Sequence, residues 1–289
     1  MGNAREEIRS GASPASPQEI VDRENSSFWN ELCGTHLAVK LGVTDASPAS
    51  LQRFDDWFFA FYPYVFRHIP LAEMRDKDVL EVGLGYGSVS QLLAQTGCRY
   101  RGLDIAEGPV GMANLRLRRA GLGETATRGS ILKAPFEDQS FDYVVTIGCL
   151  HHTGDVAAGI AECRRLLRPG GALIVMLYYA YSYRRFVRAP IATIRYFLQE
   201  LSGYRGVVDG RKERHRSAYD TNVSGAAAPH TDFISMKSLR HLCRDFSSLT
   251  MRRENIDRAM PFLWRTRDEF LRTRWPQRWG LEIYATAVR

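Results

Sequence analysis

No stretch of this chain approaches the run of roughly 18 apolar residues that a membrane-crossing helix needs, so no spanning segment and no membrane partner are expected. The opening residues, MGNAREEIRSGASPASP, lack the apolar centre of a secretory signal, and Glu6 stands where a myristoylation site wants Ser or Thr. They read as a loose polar tail. The five cysteines (Cys33, Cys98, Cys149, Cys163, Cys243) are odd in number and never spaced C-x-x-C. That pattern suggests neither a disulfide framework nor a metal centre, and it fits a reducing cytoplasm. Internal repeats and extended low-complexity segments are also missing, which leaves out solenoids and fibrous architectures.

What is present is the composition of a globular domain with additions: 289 residues, 45% hydrophobic and 25% charged. The net charge of +7 is concentrated. Between 180 and 216 nine basic residues (Arg184, Arg185, Arg188, Arg195, Arg205, Arg211, Lys212, Arg214, Arg216) face three acidic ones (Glu200, Asp209, Glu213). This stretch is either a solvated helical face or an attractor for an anionic acceptor, such as a carboxylate or phosphate. A nucleic acid has no recognisable binding module behind it.

Residues 18–41 and 50–69 carry apolar positions near helical spacing, the second with Pro63 as an expected kink. Together with the tail they form an expected N-terminal cap over 1–70, whose aromatic stripe at 54–66 reads mostly as core, with Trp29, Tyr64 or a neighbour placed to roof a ligand. From Asp78 the texture changes to short apolar strands (78–83, 100–105, 125–128, 141–148, 171–179) alternating with amphipathic helices (88–96, 109–120, 156–167), the last closed by a turn at Pro169-Gly170-Gly171. That alternation builds a parallel α/β sheet through right-handed crossovers. It stops after Tyr179 and resumes with a helix at 235–246 and strands at 248–254 and 280–289. A catalytic domain over 71–289 with an insertion at about 180–232 is therefore expected.

The densest local signal is Val79-Leu80-Glu81-Val82-Gly83-Leu84-Gly85-Tyr86-Gly87-Ser88, a strand entering a glycine turn that opens a helix. A dinucleotide fingerprint would want glycine at 88, where Ser88 stands. The sequence instead resembles motif I of the class I S-adenosylmethionine-dependent methyltransferases, E/D-x-G-x-G-x-G. Further on, Pro135-Phe136-Glu137-Asp138-Gln139-Ser140-Phe141-Asp142, then Leu150-His151-His152, then Arg165-Leu166-Leu167-Arg168-Pro169-Gly170-Gly171 resemble, in order, motifs of the ubiquinone-biosynthesis-type, small-molecule branch of that family. The resemblance covers 78–179.

The resemblance implies a Rossmann-like, seven-stranded, mostly parallel sheet with S-adenosylmethionine as cofactor and a small metabolite methylated at O, N or C. It assigns Glu81, Gly83, Gly85 and Gly87 to the amino-acid end of the cofactor. Asp104, at the end of the next strand, suits the vicinal ribose hydroxyls, since a carboxylate accepts both. Ile105, Gly129, Ser130, Ile131, Ile147 and Gly148 complete the cofactor set, with Ser130 where the family often has an acid near the adenine.

His151 and His152 follow the strand beside the reacting methyl, and an imidazole suits a general base at neutral pH. The alternative is that one caps the helix near Gly154-Asp155 while the other packs. Acceptor-side candidates are Tyr178, Tyr179, Tyr181, Arg184, Tyr219, Asp220, Asn222 and His230. Two other functions stay open: methylation of RNA or protein through the basic insertion, and silent cofactor binding.

Overall fold

The structure, a computed structural model, describes residues 15–31, 35–210, 212–257 and 266–289. The polar tail up to 14, Leu32, Cys33 and Arg211 lie outside them. Five parallel strands, β1 (Asp78–Val82), β2 (Arg99–Asp104), β3 (Ala126–Arg128), β4 (Phe141–Ile147) and β5 (Leu167–Tyr178), alternate with helices. Two short strands, β6 (Val208–Asp209) and β7 (Asp232–Phe233), form a separate antiparallel ribbon. The chain closes with β8 (Ser248–Glu254) and β9 (Glu282–Val288), and the main sheet has the order β3-β2-β1-β4-β5-β9-β8. β9 runs antiparallel between β5 and β8.

The apolar runs of β1 and β4 exist because both sheet faces are covered. Leu80, Val82 and Val144 point into one core with Ile160 and Leu166; Val79 and Val145 point into the other with Leu93, Leu117 and Tyr284. The chain leaves β1 toward β2 and β3, then returns to place β4 on the other side. That reversal opens a crevice beyond the carboxyl ends of β1 and β4, where open α/β sheets hold their ligands.

The helices are α1 (Pro17–Trp29), α2 (Thr35–Lys40), α3 (Pro48–Phe61), α4 (Val65–His68), α5 (Ser88–Ala94), α6 (Glu107–Arg119), α7 (Val156–Leu166), α8 (Tyr183–Arg188), α9 (Pro190–Leu201), α10 (Glu213–Arg216), α11 (Met236–Leu242), α12 (Arg267–Leu271) and α13 (Trp275–Trp279). A capping box of Ser16 and Glu19 starts α1.

Three expectations need correction. The first helix, expected over 18–41, ends at Trp29, and a separate short helix begins at Thr35. The second, expected over 50–69, is broken and not merely kinked: Tyr62 precedes Pro63, leaves the helical region (φ −113°, ψ 55°) and ends α3. The Pro169-Gly170-Gly171 turn is absorbed into β5, whose register with β4 jumps from Phe141–Leu167 to Tyr143–Ala172, with Gly170 at φ +80°.

Candidate active site

The motif glycines occupy the turn from β1 into α5, with φ of +83°, +49° and +72° at Gly83, Gly85 and Gly87. A Cβ on Gly83 would sit 2.5 Å from Cys149 Cβ, and one on Gly87 2.9 Å from Arg116 Cδ. Positive φ and close packing within the protein therefore both demand glycine there. Ser88 Oγ donates to Asp55 of α3, whose carboxylate also takes two hydrogen bonds from buried Arg116 (2.8 and 2.9 Å). The residue that departs from a dinucleotide loop thus ties the cap to the sheet.

A cavity of about 380 Å³ lies over this turn. Its walls include Glu81, Gly83, Gly85, Asp104, Ile105, Gly129, Ser130, Ile131, Ile147 and Gly148. Buried Asp104 accepts from the backbone N–H groups of Leu84 (2.8 Å) and Ala106 (2.9 Å). Burial raises its carboxyl to about 6 against those bonds. Glu81, buried and accepting from Tyr100 Oη at 2.5 Å, is pushed by burial up to about 7. Ser130 Oγ accepts from Leu132 N at 3.3 Å, capping a short turn.

From the cap, α1 closes over the strand ends. Asn25 Nδ2 donates to the His152 carbonyl (2.6 Å), Gln18 Nε2 to the Thr153 carbonyl (2.8 Å) and Ser26 Oγ to the Ile105 carbonyl (3.1 Å). Asn25 is buried in the cavity wall, and its Oδ1 has no hydrogen-bond partner among the described residues. S-adenosylmethionine presents an ammonium, two ribose hydroxyls and an adenine amino group, all donors. The wall offers matching acceptors in Glu81, Asp104 and Asn25, so the residues fit this cofactor.

The other end of the cavity is aromatic, with Trp29, Trp57, Phe58, Tyr62, Tyr178, Tyr219 and Tyr284 in its walls beside Met176, His152 and Asp220. His152 is buried, its ring 4.8 Å from that of Trp29, and its Nδ1 lies 2.7 Å from the His230 carbonyl. A carbonyl only accepts, so Nδ1 carries the proton. In the neutral ring Nε2 then holds the lone pair, 3.6 Å from Asp220 Oδ2, which itself accepts from Tyr178 Oη at 2.9 Å. Burial holds His152 below the ordinary imidazole value, although Asp220 pulls the other way.

Several residues singled out in the sequence lie elsewhere. Gly87 packs behind the turn. His151 is buried outside the cavity wall against Tyr178 (4.0 Å between rings), neither ring nitrogen has a hydrogen-bond partner among the described residues, and burial drives its pKa well down. Neither histidine caps α7; Asp155 does, accepting from Ala158 N. Tyr179 points into the core with its hydroxyl on Arg253. Arg184 reaches away to Asp257 and to the Ala218 carbonyl. The His230 ring pairs with Asp232 at 3.2 Å, so its contribution to the site is its carbonyl.

Sequence reasoning did not single out Asp22, Asn25 or the α3 rings Trp57 and Phe58, because nothing local marks them as facing a crevice built by residues distant in the chain. Tyr64, expected as a roof, is instead buried outside the cavity wall with its hydroxyl on Glu282. His230, Asp232 and Asp209 bring ligand atoms within 4.8 Å of one another, a potential cation cluster where none was expected. Asp209 and Asp232 are cross-strand partners in the β6–β7 ribbon. The charged motif residues lie away from the cavity. Arg168 bridges Asp78 and Asp142 at the amino ends of β1 and β4, and Arg165 binds Glu162 and Asp138.

Residues 80–175 match the family model described as "Methyltransferase domain". The chain is 33% identical over 130 residues to the demethylmenaquinone methyltransferase of Tropheryma whipplei strain Twist, covering 44% of this chain and 52% of that protein. It is 33% identical over 112 residues to the ubiquinone biosynthesis O-methyltransferase of Stutzerimonas stutzeri, covering 37% and 46%. The chain thus spans about half the length of these relatives. The fold is shared with the crystal structure of an S-adenosylmethionine-dependent methyltransferase from Mesorhizobium loti (TM-score 0.52, 17% identity, 80% of this chain and 98% of that one). One from Archaeoglobus fulgidus shares it too (TM-score 0.51, 10% identity, 81% and 94%). Sheet order, glycine turn and domain match together identify residues 80–175 as a Rossmann-like methyltransferase domain of the S-adenosylmethionine-dependent kind.

Proposed function

We propose that this protein methylates a small, flat, largely apolar acceptor carrying an ionisable O–H or N–H, with His152 as general base. The observation that carries this is the orientation of His152: Nδ1–H is committed to a backbone carbonyl, and Nε2 is the free base in a cavity wall built of aromatic rings. Bound S-adenosylmethionine supplies a methyl group on a sulfonium, an already activated leaving group. Asp104 and Glu81 accept its ribose and ammonium donors, and Asn25 offers a further acceptor. What remains for the chain is alignment, exclusion of water and removal of one proton. His152, neutral at pH 7 because burial lowers its pKa, takes that proton on Nε2. Asp220 stands 3.6 Å away to balance the charge that then forms.

The two relatives named for quinone biosynthesis favour an aromatic acceptor, which suits these walls. The arginines support a small molecule over a polyanion track. Arg185 is buried, Arg184 is paired with Asp257, and Arg216 binds the Gly210 and Ala228 carbonyls. A cytoplasmic setting belongs to this proposal.

The test is transfer of labelled methyl to a panel of phenols, catechols and aromatic amines. His152→Ala is expected to lower kcat by about 10²–10⁴-fold with cofactor affinity within threefold of the unmodified protein, and His151→Ala to act mainly on stability. Equal turnover by His152→Ala rejects His152 as the base, and no product from any aromatic acceptor rejects the acceptor class.

A further inference from the structure

We infer that the α8–α9 hairpin, with Trp279 beside it, is a docking surface for an anionic lipid bilayer, on which the protein lies without inserting a span. The helix α9 is built inside out. Its protein-facing side is polar: Tyr196 Oη donates to the Gly206 carbonyl, and buried Glu200 accepts from Tyr181, Ser235 and Ser238. Its outer side is apolar. Ile191, Ile194, Leu198 and Leu201 recur at intervals of three, four and three, which puts them on one stripe, and exposed Val187 of α8 precedes them across the break at Ala189. Ile191 is 83% exposed and Leu201 66%, and Phe197 stands half exposed beside them. Large contiguous apolar patches of this kind mark interaction sites on otherwise ordinary surfaces.

The charges around the stripe decide what it meets. Arg188 and Arg195 are exposed, whereas Glu200, the one acid between 183 and 204, is buried. The face therefore offers apolar side chains and guanidinium groups with no exposed carboxylate among them. The patch continues through Phe186, whose ring lies 5.9 Å from that of Trp279, and both Trp279 and Trp275 are exposed. Apolar and indole side chains with arginines on the flanks form the pattern of a helix lying in the plane of an anionic interface. A symmetric contact between two copies of α9 would set these arginines against each other with no carboxylate on either stripe to receive them. Lipid phosphates receive them. Among the described residues no helix is long and apolar enough to cross a membrane, so the contact is peripheral.

The test is co-flotation of the full chain with vesicles of phosphatidylcholine alone or with 40% (about two in five lipids) phosphatidylglycerol. The expected result is at least tenfold tighter binding to the anionic vesicles, since each arginine near such a surface contributes about 1 kcal/mol. High salt should weaken it. Arg188→Gln with Arg195→Gln should remove the preference for anionic lipid. Ile191→Ser with Leu198→Ser should abolish binding with an unchanged melting temperature, because both side chains already face outward. Two results overturn the inference: a monomer that ignores both vesicle types, which rejects the bilayer as the occupant, or a dimer dissolved by Ile191→Ser with Leu198→Ser, which assigns the face to a second copy. Neither readout depends on turnover.

Discussion

Asp104 and Glu81 are carboxyls held in a wall where their protonated forms are favoured, at about 6 and about 7. Cofactor hydroxyl and ammonium donors favour the ionised forms, so binding must release protons. As pH falls through about 7 and then 6, the free protein takes up protons that binding must displace, so affinity drops; above pH 7 both carboxyls are charged and affinity is full. Calorimetric titration is expected to give a dissociation constant at least tenfold smaller at pH 8 than at pH 5.5. Asp104→Asn should weaken binding at pH 8 by tenfold or more, given about 1.5–3 kcal/mol for each charged hydrogen bond, and should flatten the dependence between pH 5 and 6. A loss under threefold would mean that Asp104 does not hold the ribose. Ser88 adds a second expectation: because it occupies the third dinucleotide glycine position and is committed to Asp55, NAD should give no binding heat.

At the scale of elements, the site depends on the cap being fixed to the sheet. The helix α3 is fastened by Asp55, which receives the buried Arg116 guanidinium of α6 and the Ser88 hydroxyl at the start of α5. Removing one partner of a buried ion pair leaves an uncompensated charge. Asp55→Ala is expected to cost about 3–5 kcal/mol in urea unfolding and to weaken cofactor binding as α3 loosens. Asp55→Leu with Arg116→Met should recover most of the stability, and no recovery would show that packing, not charge, holds the element. The strands and α5–α7 were legible in the sequence because parallel strands need continuous apolar runs and their turns need glycine. The cap was legible only as apolar spacing. Asp55 to Arg116 spans 61 residues and Asn25 to His152 spans 127, and no local pattern encodes either pairing. Likewise, Leu150-His151-His152 forms a single 3₁₀ turn whose twist, set by the fold, puts the buried His152 ring in the crevice wall and the buried His151 ring behind it.

Across the whole molecule the end of the cap meets the last strands of the sheet. The helix α4 and its flanks lie on the last strands: Tyr64 Oη donates to Glu282 at 3.2 Å, Arg67 pairs with Glu254, and His68 stacks on Tyr284 with centroids 4.4 Å apart. Glu282, which also accepts from Asn255 Nδ2 at 2.7 Å, is buried and pushed by burial up to about 7 from an ordinary 4.5. A folded-state pKa raised above the unfolded value means that the native protein holds the proton more tightly. The cost of ionising Glu282 is therefore absent below pH 4.5, grows as pH rises, and is complete above pH 7, where it reaches about 3 kcal/mol. Glu282→Gln never ionises and keeps amide partners for the same neighbours. The variant should match the unmodified protein or fall slightly below it at pH 4.5 and gain on it steadily up to pH 7.5. The measurement is the difference in unfolding free energy across that range, cofactor absent. A difference that stays constant with pH would show that Glu282 is ionised in the native fold throughout, its charge carried by Asn255, Tyr64 and the nearby Arg184 and Arg267.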